Sequence, residues 1–531
     1  MLYNMCMGNI SKLSSVKIVP EQHPPHYLLH KYWGRKPHNL LSTYIQFFTK
    51  PGDKVLDPFM GSGGVVIESN KLNRIGIGID LNPMACMIVT ETLKPLPDES
   101  LLRNEFNKVL KTLPPEVLNL ATVLDDNEIY ILDNAVWIEN EIKRIKYYKN
   151  GKRITRDCNE YDLKQVKKSK LLLSKYKKLG LYFPEDPIMQ YVKRNGKSTI
   201  NELFSVRNLL IAALVIKAIN EIKNTQIRDS LLFVFTSALP NFSSMIPGDL
   251  VTVNGKSGWQ ISKFWVPKIH TEKNVVQSLK LRFEKYINGK QHIHPLVTNT
   301  DFKIYNQSCE NMKSIKSKSI DYVFTDPPYG DSISYFALSS FWSTWLKHEV
   351  DYEGEIIYDP YRNKKDEDYS ARLNRAYAEI YRVLKDDGYL SFTFHNRHVK
   401  FWKIIIDACT KAGFDIVNVK WVDQAVASGT QGINRNNTLK GDFVYTFKKL
   451  KEPVHNSELI NGEEIVLKSV NTLIKKQGFA DTASLYEYLI PKLIQKQAFH
   501  DSKGKILDID KIIASKFKYS KVEDGQYGWV L

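Results

Sequence analysis

The sequence predicts an α/β fold built on a mostly parallel sheet of seven strands. Residues 54–59 form a predicted strand that passes through a glycine-rich turn, 60–64, into a helix, an order typical of nucleotide-binding α/β proteins. A second apolar run, at residues 322–324, is bounded by turn residues, as buried strands of parallel sheets are. That strand ends at Asp326, because two prolines follow and a proline has no backbone N–H to donate.

The other elements are predicted from short apolar runs and from apolar residues at helical spacing. The predicted strands of the sheet are residues 54–59, 75–80, 302–305, 322–326, 389–394, 414–422 and 442–447. The predicted helices are residues 40–48, 65–72, 203–222, 229–239, 335–346, 374–384 and 401–412. The last two strands are expected to form a closing hairpin with a long loop, 428–439, that is rich in Gly, Asn and Thr.

The length of 531 residues exceeds what one hydrophobic core usually supports, so about two to four domains are expected. The predicted segments are an N-terminal arm at 1–22, a discontinuous sheet domain at 23–95 and 300–450, a large mainly helical insertion at 96–299, and a small helical C-terminal domain at 451–531. Within the C-terminal segment, Pro491 is predicted to break a helix, because proline removes a helical hydrogen bond.

The chain is strongly basic, with 75 Lys and Arg residues against 58 Asp and Glu residues and a formal net charge of +17. Such an excess favours a polyanionic partner, although a general contribution to solubility explains it as well. Residues 143–178 of the insertion are dense in Lys and Arg and include Tyr147 and Tyr148, a mixture that suits phosphate contacts and base stacking. The alternative is that this run is only a solvated helix face.

The five cysteines are scattered along the chain and include no Cys-x-x-Cys pair. We therefore expect neither a disulfide framework nor a cysteine-built metal site. No apolar run is long enough to span a bilayer, and residues 1–20 lack the basic and apolar segments of a signal peptide. These observations predict a cytoplasmic protein without a metal site.

The segment at Asp326-Pro327-Pro328-Tyr329 brings a carboxylate, a bare carbonyl and an aromatic ring to the end of a strand, where ligands bind in open α/β sheets. An aromatic amine of a nucleobase is a poor nucleophile, because its lone pair is delocalised into the ring. Two acceptors, Asp326 and the Pro327 carbonyl, would draw its N–H groups and free that lone pair. Tyr329 would stack on a base turned out of its duplex. The alternative is an ordinary turn with a surface tyrosine.

The glycine-rich turn predicts a second ligand site on the first two strands. Glycines at 61 and 63 let the backbone approach a ligand, and Asp57 before them suits a ligand that carries an ammonium group. Asp80 ends the second strand about 20 residues later, where an acid that binds ribose belongs, and Asn82 closes that edge. The alternatives are a plain turn and an acid that only caps a helix.

These motifs together resemble the amino-directed DNA methyltransferases that use S-adenosylmethionine. Residues 57–63, Asp-Pro-Phe-Met-Gly-Ser-Gly, look like the cofactor motif of that family, and Asp326-Pro327-Pro328-Tyr329 looks like its catalytic motif in the form associated with adenine N6. The run at 329–335, followed by Phe341-Trp342, resembles a bacterial subfamily of adenine-specific DNA methylases. The cofactor motif precedes the catalytic motif, which resembles the α group, in which the insertion reads DNA.

The resemblance implies a Rossmann-like class I methyltransferase sheet, S-adenosylmethionine as the cofactor and double-stranded DNA as the substrate. Asp57 and the two glycines would cradle the methionine end of the cofactor, Asp80 would hold its ribose, and residues 30–37 would approach its carboxylate. The implied cofactor-binding residues are His30, Lys36, Pro37, Asp57, Pro58, Phe59, Gly61, Gly63, Asp80 and Asn82. The implied catalytic residues are Asp326, Pro327, Pro328 and Tyr329.

The resemblance also bears on metals and partner proteins. Some relatives carry a cysteine-rich zinc ribbon in the insertion, whereas this chain has only Cys158 there, so no zinc is predicted. Restriction–modification or another defence system is the setting in which a partner protein of such an enzyme is expected.

Several other functions remain open. Methylation of cytosine N4 follows the same amine chemistry as methylation of adenine N6. RNA and protein-glutamine methylation are also alternatives, although relatives with those substrates usually carry Asn in place of Asp326. A subunit that binds DNA without catalysis is an alternative of a different class.

Overall fold

The structure, a computed structural model, describes residues 10, 13, 16–255, 259, 261–297, 301–396, 398–423, 441–451, 460–521 and 527–531. Its strands are β1 Lys54–Asp57, β2 Ile75–Asp80, β3 Thr122–Asp125, β4 Glu128–Ile138, β5 Glu141–Lys149, β6 Lys152–Asp157, β7 Ile269–Lys273, β8 Lys303–Asn306, β9 Ile320–Thr325, β10 Leu384–Phe394, β11 Phe414–Asp423, β12 Gly441–Lys449, β13 Lys518–Lys521 and β14 Tyr527–Val530. Its α-helices are α1 His38–Phe48, α2 Gly64–Lys71, α3 Pro83–Leu93, α4 Glu99–Lys111, α5 Pro115–Leu118, α6 Glu160–Lys178, α7 Val206–Asn220, α8 Thr225–Phe242, α9 Val275–Ile293, α10 Tyr335–Leu346, α11 Asp366–Val383, α12 Val399–Ala412, α13 Glu463–Gln477, α14 Thr482–Gln495 and α15 Ile509–Ala514. None of these helices is long and apolar enough to cross a membrane.

The large sheet contains seven strands in the order β11-β12-β10-β9-β1-β2-β8. The five strands from β10 to β8 are parallel, and β12 runs antiparallel to both β10 and β11. The mostly parallel sheet of seven strands that the sequence predicts is therefore confirmed, including the closing hairpin of β11 and β12. The predicted loop at 428–439 lies outside the described residues.

The sheet is buried on both faces, as parallel sheets usually are. Successive residues of β1 point to opposite faces, and Val55 packs in a cluster with Leu41 and Tyr44 of α1. Leu56 belongs instead to the cluster built around α11 and α12 on the other face. Because the parallel strands β1, β2, β9 and β10 all end at one edge, the residues at and just beyond their carboxyl ends come together there.

The segment between β2 and β8 contains a five-stranded antiparallel sheet, β3 to β7, which the sequence analysis missed. The first half of the basic run, 143–157, lies in β5 and β6 of this sheet rather than on a helix face. Its two-residue alternation is visible at Ile145 and Tyr147, which are buried, but the surrounding charges obscured it. The helices α7, α8 and α9 of the same segment share a continuous core with α10, which follows the Asp326 turn.

Both ends of the described chain pack against the sheet. Leu13 of the predicted N-terminal arm is fully buried, and its carbonyl accepts a hydrogen bond of 2.8 Å from Lys420 Nζ of β11. At the other end, α13, α14 and α15 bury apolar residues in the same cluster as β10 and α12. The predicted break at Pro491 is wrong, because α14 continues through this proline from residue 482 to 495.

Candidate functional site

A cleft of about 1060 Å³, including its open mouth, lies at the carboxyl ends of β1, β2 and β9. Eight residues of the predicted site line it: Lys36, Asp57, Pro58, Phe59, Gly61, Asp80, Asp326 and Pro328. The cleft wall does not include His30, Pro37, Gly63, Asn82, Pro327 or Tyr329. The two sites that the sequence suggested separately therefore share one cavity.

The glycine-rich turn after β1 requires two left-handed residues, Gly61 with φ of +50° and Gly63 with φ of +77°. A Cβ on Gly63 would lie 2.3 Å from Cγ2 of Val89, so this residue lets α2 pack closely on α3. Gly61 instead faces the cleft, and its N–H donates a hydrogen bond of 2.8 Å to Asp80 Oδ2. The turn thus brings backbone of β1 and the terminal acid of β2 to one wall of the cavity.

Two buried acids mark this wall. Asp57 Oδ1 accepts hydrogen bonds from Thr325 Oγ1 at 2.6 Å and from the N–H of Phe59 at 3.1 Å. Burial raises the pKa of Asp57 to about 7, and the negative charges of Asp326 and Asp80 act in the same direction. Burial also raises the pKa of Asp80 to about 6. Two uncompensated acids in an apolar cavity favour a ligand that brings a positive charge.

Two residues of the predicted cofactor set are engaged elsewhere. Asn82 is fully buried, where its Oδ1 caps α3 by accepting from the N–H of Met84 and its Nδ2 donates to Ser339 Oγ at 2.8 Å. His30 is also buried, with Nε2 3.2 Å from Thr236 Oγ1 of α8 and its ring against Trp342. Burial lowers the pKa of His30 to about 3, so this side chain is neutral and joins the segment before α1 to the insertion.

Asp326 lies at the other end of the cleft, with a side chain that is 25% exposed. Its Oδ1 accepts hydrogen bonds from Tyr329 Oη at 2.5 Å and from Thr393 Oγ1 at 2.6 Å, and Lys36 Nζ lies 3.4 Å away. Its Oδ2 accepts no hydrogen bond from any described residue. One oxygen of the carboxylate is therefore fixed by the protein, and the other keeps its lone pairs in a side chain that lines the cleft.

The turn at residues 326–330 is held rigidly from behind. The carbonyl of Pro328 accepts a hydrogen bond of 2.5 Å from Tyr369 Oη, and the carbonyl of Tyr329 accepts one of 2.9 Å from Asn396 Nδ2. Gly330 has φ of +67°, and a Cβ there would lie 2.7 Å from the ring of Phe401. These contacts come from α11, from α12 and from Asn396 just beyond β10; the two helices belong to the same hydrophobic cluster.

A second carboxylate stands beside Asp326. Asp442, at the start of β12 and only 6% exposed, accepts from Lys36 Nζ at 2.9 Å and is hydrogen-bonded to His395 Nδ1. Burial alone would raise the pKa of Asp442, but Lys36 and His395 outweigh it and hold the pKa below its usual range. The ammonium of Lys36 also donates to Tyr329 Oη at 2.7 Å, so this lysine joins both acids and the tyrosine.

The sequence analysis missed six residues of the site. Tyr335 and Glu355 line the cleft, and the hydrogen-bonded residues are Thr325, Thr393, His395 and Asp442. One signal was available, since His395 directly follows a predicted parallel strand. Asp442 begins an antiparallel strand, whose start lies at the edge where the parallel strands end. Tyr335 stacks on Tyr32 over the cleft, with ring centroids 5.6 Å apart, a contact between residues 303 positions apart that no local pattern indicates.

The donor set of the cleft fits S-adenosylmethionine. In the described part of the chain, no lysine or arginine forms an ion pair with Asp57 or Asp80, so their charge is left for a cationic ligand. The aromatic rings of Phe59, Tyr32 and Tyr335 supply a flat apolar wall for a base. Across the same described ranges, no group of three or more His, Cys, Asp or Glu side chains is placed to hold a metal ion.

Comparison with known proteins identifies relatives of this architecture. A family model described as DNA methylase matches residues 10–91 and 320–519, which together make up just over half of the chain. Both motifs that line the cleft fall within the matched ranges. The unmatched residues between them include the antiparallel sheet.

Individual relatives match at low identity. The Type II methyltransferase M.MjaII of Methanocaldococcus jannaschii is 21% identical over 325 residues, which cover 58% of this chain and 59% of that protein. The Type II methyltransferase M.HpaI of Haemophilus parainfluenzae is 27% identical over 181 residues, 33% of this chain and 51% of that protein. The matched part of the chain thus spans only about half to three fifths of the length of these relatives.

Proposed function

The chain belongs to the DNA methylase family, and from that premise we propose that it transfers a methyl group from S-adenosylmethionine to the exocyclic N6 amine of adenine in DNA. The observation that carries the proposal is the open Oδ2 of Asp326, in the same cleft as the uncompensated acids Asp57 and Asp80. A cationic methyl donor and an amine acceptor would meet in this one cavity.

The proposed cofactor site uses the wall formed by β1 and β2. Asp57 would pair with the positive charge of the methionine end, and the Gly61 backbone would approach it without steric hindrance. Asp80 keeps lone pairs for ribose hydroxyls, because each of its oxygens accepts only one backbone N–H. S-adenosylmethionine carries its methyl group on a sulfonium, and the thioether that remains after transfer is a good leaving group.

In the proposed reaction, Asp326 Oδ2 accepts an N–H of the target amine. The lone pair of the nitrogen then forms the new bond to the methyl carbon, while the sulfur keeps the electrons of the bond that breaks. The methylated amine is positively charged and strongly acidic, and its proton passes to Asp326 Oδ2. The rigid support of residues 326–330 favours this step, because an acceptor that is already positioned costs no reorganisation.

Adenine is the proposed base, and cytosine N4 is the alternative. The combination of Asp326 with Pro327, Pro328 and Tyr329 supports adenine through the family resemblance alone. Both amines would engage the same Oδ2, so the geometry of the acceptor favours neither. Asp rather than Asn at position 326 argues against the RNA and protein-glutamine alternatives.

The proposed substrate is double-stranded DNA, from which the base is extruded to reach Asp326. The net charge of +17 supports a polyanionic substrate. Many cations of the basic run are already paired, as Lys149 is with Asp125 and Asp126, and Arg156 with Asp162. Lys167, Lys168 and Lys170 of α6 are exposed and are the better candidates for phosphate contacts.

The proposal is tested by incubating the full chain with tritiated S-adenosylmethionine and four acceptors: duplex DNA, single-stranded DNA, RNA and protein. Label in duplex DNA is the expected result. Label in RNA or protein alone would reject the DNA substrate. Cofactor binding without transfer to any acceptor would favour the non-catalytic alternative.

A further inference from the structure

Building on the proposed function, we infer that Lys36 positions the catalytic carboxylate for methyl transfer and does not bind the cofactor. An ammonium group has three N–H donors. Three oxygens surround Lys36 Nζ: Tyr329 Oη at 2.7 Å, Asp442 Oδ2 at 2.9 Å and Asp326 Oδ1 at 3.4 Å. The ammonium thus has two hydrogen-bond partners and one further ion-pair partner inside the protein, so no N–H is left for the carboxylate of S-adenosylmethionine.

The side chain of Lys36 is held in this place by burial. It is only 10% exposed, and its ammonium lies 4.9 Å from the centre of the Tyr329 ring. Burial acts to lower the pKa of Lys36, but the carboxylates of Asp326 and Asp442 outweigh it and raise the pKa. The lysine is therefore a fixed positive charge between two acids that enter the site from different strands.

This charge determines whether Asp326 is ionised. Burial raises the pKa of Asp326, Lys36 opposes the rise and the like charge of Asp442 adds to it. The other polar or ionisable groups around Asp326 are Asp57 at the end of β1, Tyr329, Tyr335 of α10, Thr393 of β10 and His395 behind Asp442. Of the cations that the structure describes, only Lys36 forms an ion pair with Asp326. Without Lys36, a neutral Asp326 would be unable to accept a proton from the amine.

Asp442 and His395 complete the arrangement. Asp442 draws Lys36 toward β12, and the hydrogen bond from His395 fixes the other oxygen of Asp442. Asp442 shares Lys36 with Asp326, and the negative charge of Asp442 also raises the pKa of Asp326. Removal of Lys36 and removal of the Asp442 charge should consequently shift the ionisation of Asp326 in opposite directions.

The test is the pH profile of single-turnover methyl transfer to DNA by the full chain, with S-adenosylmethionine affinity measured separately. Lys36→Met should move the acidic limb of the profile upward by about 1–3 pH units, the effect of losing an opposite charge at this range. Its cofactor affinity should stay within about twofold, and Lys36→Arg should restore part of the shift. Lys403→Met is the matched control, because Lys403 is ion-paired with an acid of its own helix, Asp407 of α12, and does not line the cleft.

Asp442→Asn provides a second, independent variant. Its acidic limb should move to lower pH, opposite to the shift of Lys36→Met, a result that a purely structural defect would not produce. An unmoved limb in Lys36→Met, or a tenfold loss of its cofactor affinity, would overturn the inference. If Lys36→Met does not fold, Asp442→Asn decides: a limb that moves to lower pH supports the inference, and a limb that stays in place or rises overturns it. A wild-type chain that methylates no DNA would overturn the proposed function and this inference with it.

Discussion

Asp326 presents one oxygen to the protein and the other to the cleft, and this asymmetry is the basis of the first prediction. Asp326→Ala removes the acceptor for the amine, so single-turnover transfer to DNA should fall by on the order of a hundredfold or more. The affinity for S-adenosylmethionine should be nearly unchanged, because Asp57 and Asp80 remain. Asp415→Ala, an exposed acid on β11, is the control. Near-normal transfer by Asp326→Ala would refute the proposed acceptor.

Asp57 makes cofactor binding depend on pH. Its pKa is raised to about 7 in the folded chain, so below pH 7 this carboxyl group is mostly neutral. A cationic ligand favours the ionised acid and lowers this pKa, so binding should release a proton. Affinity for S-adenosylmethionine should therefore increase as pH rises from about 5 to 7 and level off above 7.

Calorimetry in buffers of different ionisation enthalpy measures the proton that Asp57 releases. Asp57→Asn should bind more weakly at high pH and lose most of the pH dependence; the raised pKa of Asp80, about 6, accounts for what remains. An affinity independent of pH between 5 and 8, without proton release, would argue against a cation at Asp57.

At the scale of elements, the turn between β1 and α2 combines two separate constraints on Gly63. Gly63→Ala should destabilise the fold through its left-handed φ, by about 1–3 kcal/mol, and further through the clash with Val89. Gly52→Ala is a matched control, since φ there is +86° but a Cβ would meet nothing within 4 Å. Denaturant unfolding should rank Gly63→Ala as the less stable variant, and only that variant should lose cofactor affinity. Equal stabilities would show that the close approach of α2 and α3 is unimportant.

Helix α6 carries the exposed part of the basic run. Charge reversal at Lys167, Lys168 and Lys170 should weaken DNA binding and reduce the salt dependence by about one unit for each phosphate that is no longer neutralised. The same reversal at three exposed lysines of α13, Lys468, Lys475 and Lys476, changes the net charge equally and serves as the control. Equal effects of the two triple variants would mean that only the overall charge matters.

The elements differ in how far the sequence predicts them. The seven strands of the large sheet were predictable, because most contain a short apolar run next to turn residues and β11 alternates apolar with polar residues. The antiparallel sheet of β3 to β7 was not predictable, because its strands are half-exposed and densely charged. The charges hid the alternation of buried and exposed side chains, so a solvated helix face was the alternative considered. The predicted break at Pro491 was wrong for a different reason. A helix supported by buried side chains such as Leu489 and Leu493 tolerates the loss of one hydrogen bond.

The candidate site was predictable to a similar degree. Asp57, Asp80 and Asp326 stand at strand ends next to their motifs, and strand ends meet at one edge of a parallel sheet. The grouping of Lys36 with Asp442 and His395 depends on residues up to 406 positions apart, which no local pattern brings together. His30 and Asn82 were assigned by resemblance, and the structure instead gives them contacts with Thr236 and Ser339.

At the scale of the whole molecule, the insertion shares one hydrophobic core with α10, so the basic helix α6 and the helix that follows the Asp326 turn belong to one packed body. Trp342 of α10 packs against Trp33 and Trp259, and these rings join the segment before α1 to the insertion. DNA bound along the insertion would therefore lie on a body that continues into the walls of the cleft.

The proposed methylation of adenine N6 in DNA is the activity on which the other conclusions depend. The deciding measurement is mass spectrometry of nucleosides from duplex DNA treated with the purified chain and S-adenosylmethionine carrying a deuterated methyl group. We expect labelled N6-methyldeoxyadenosine, and its loss in Asp326→Ala. Labelled N4-methyldeoxycytidine would contradict the choice of base, and DNA without any labelled nucleoside would contradict the proposed activity itself.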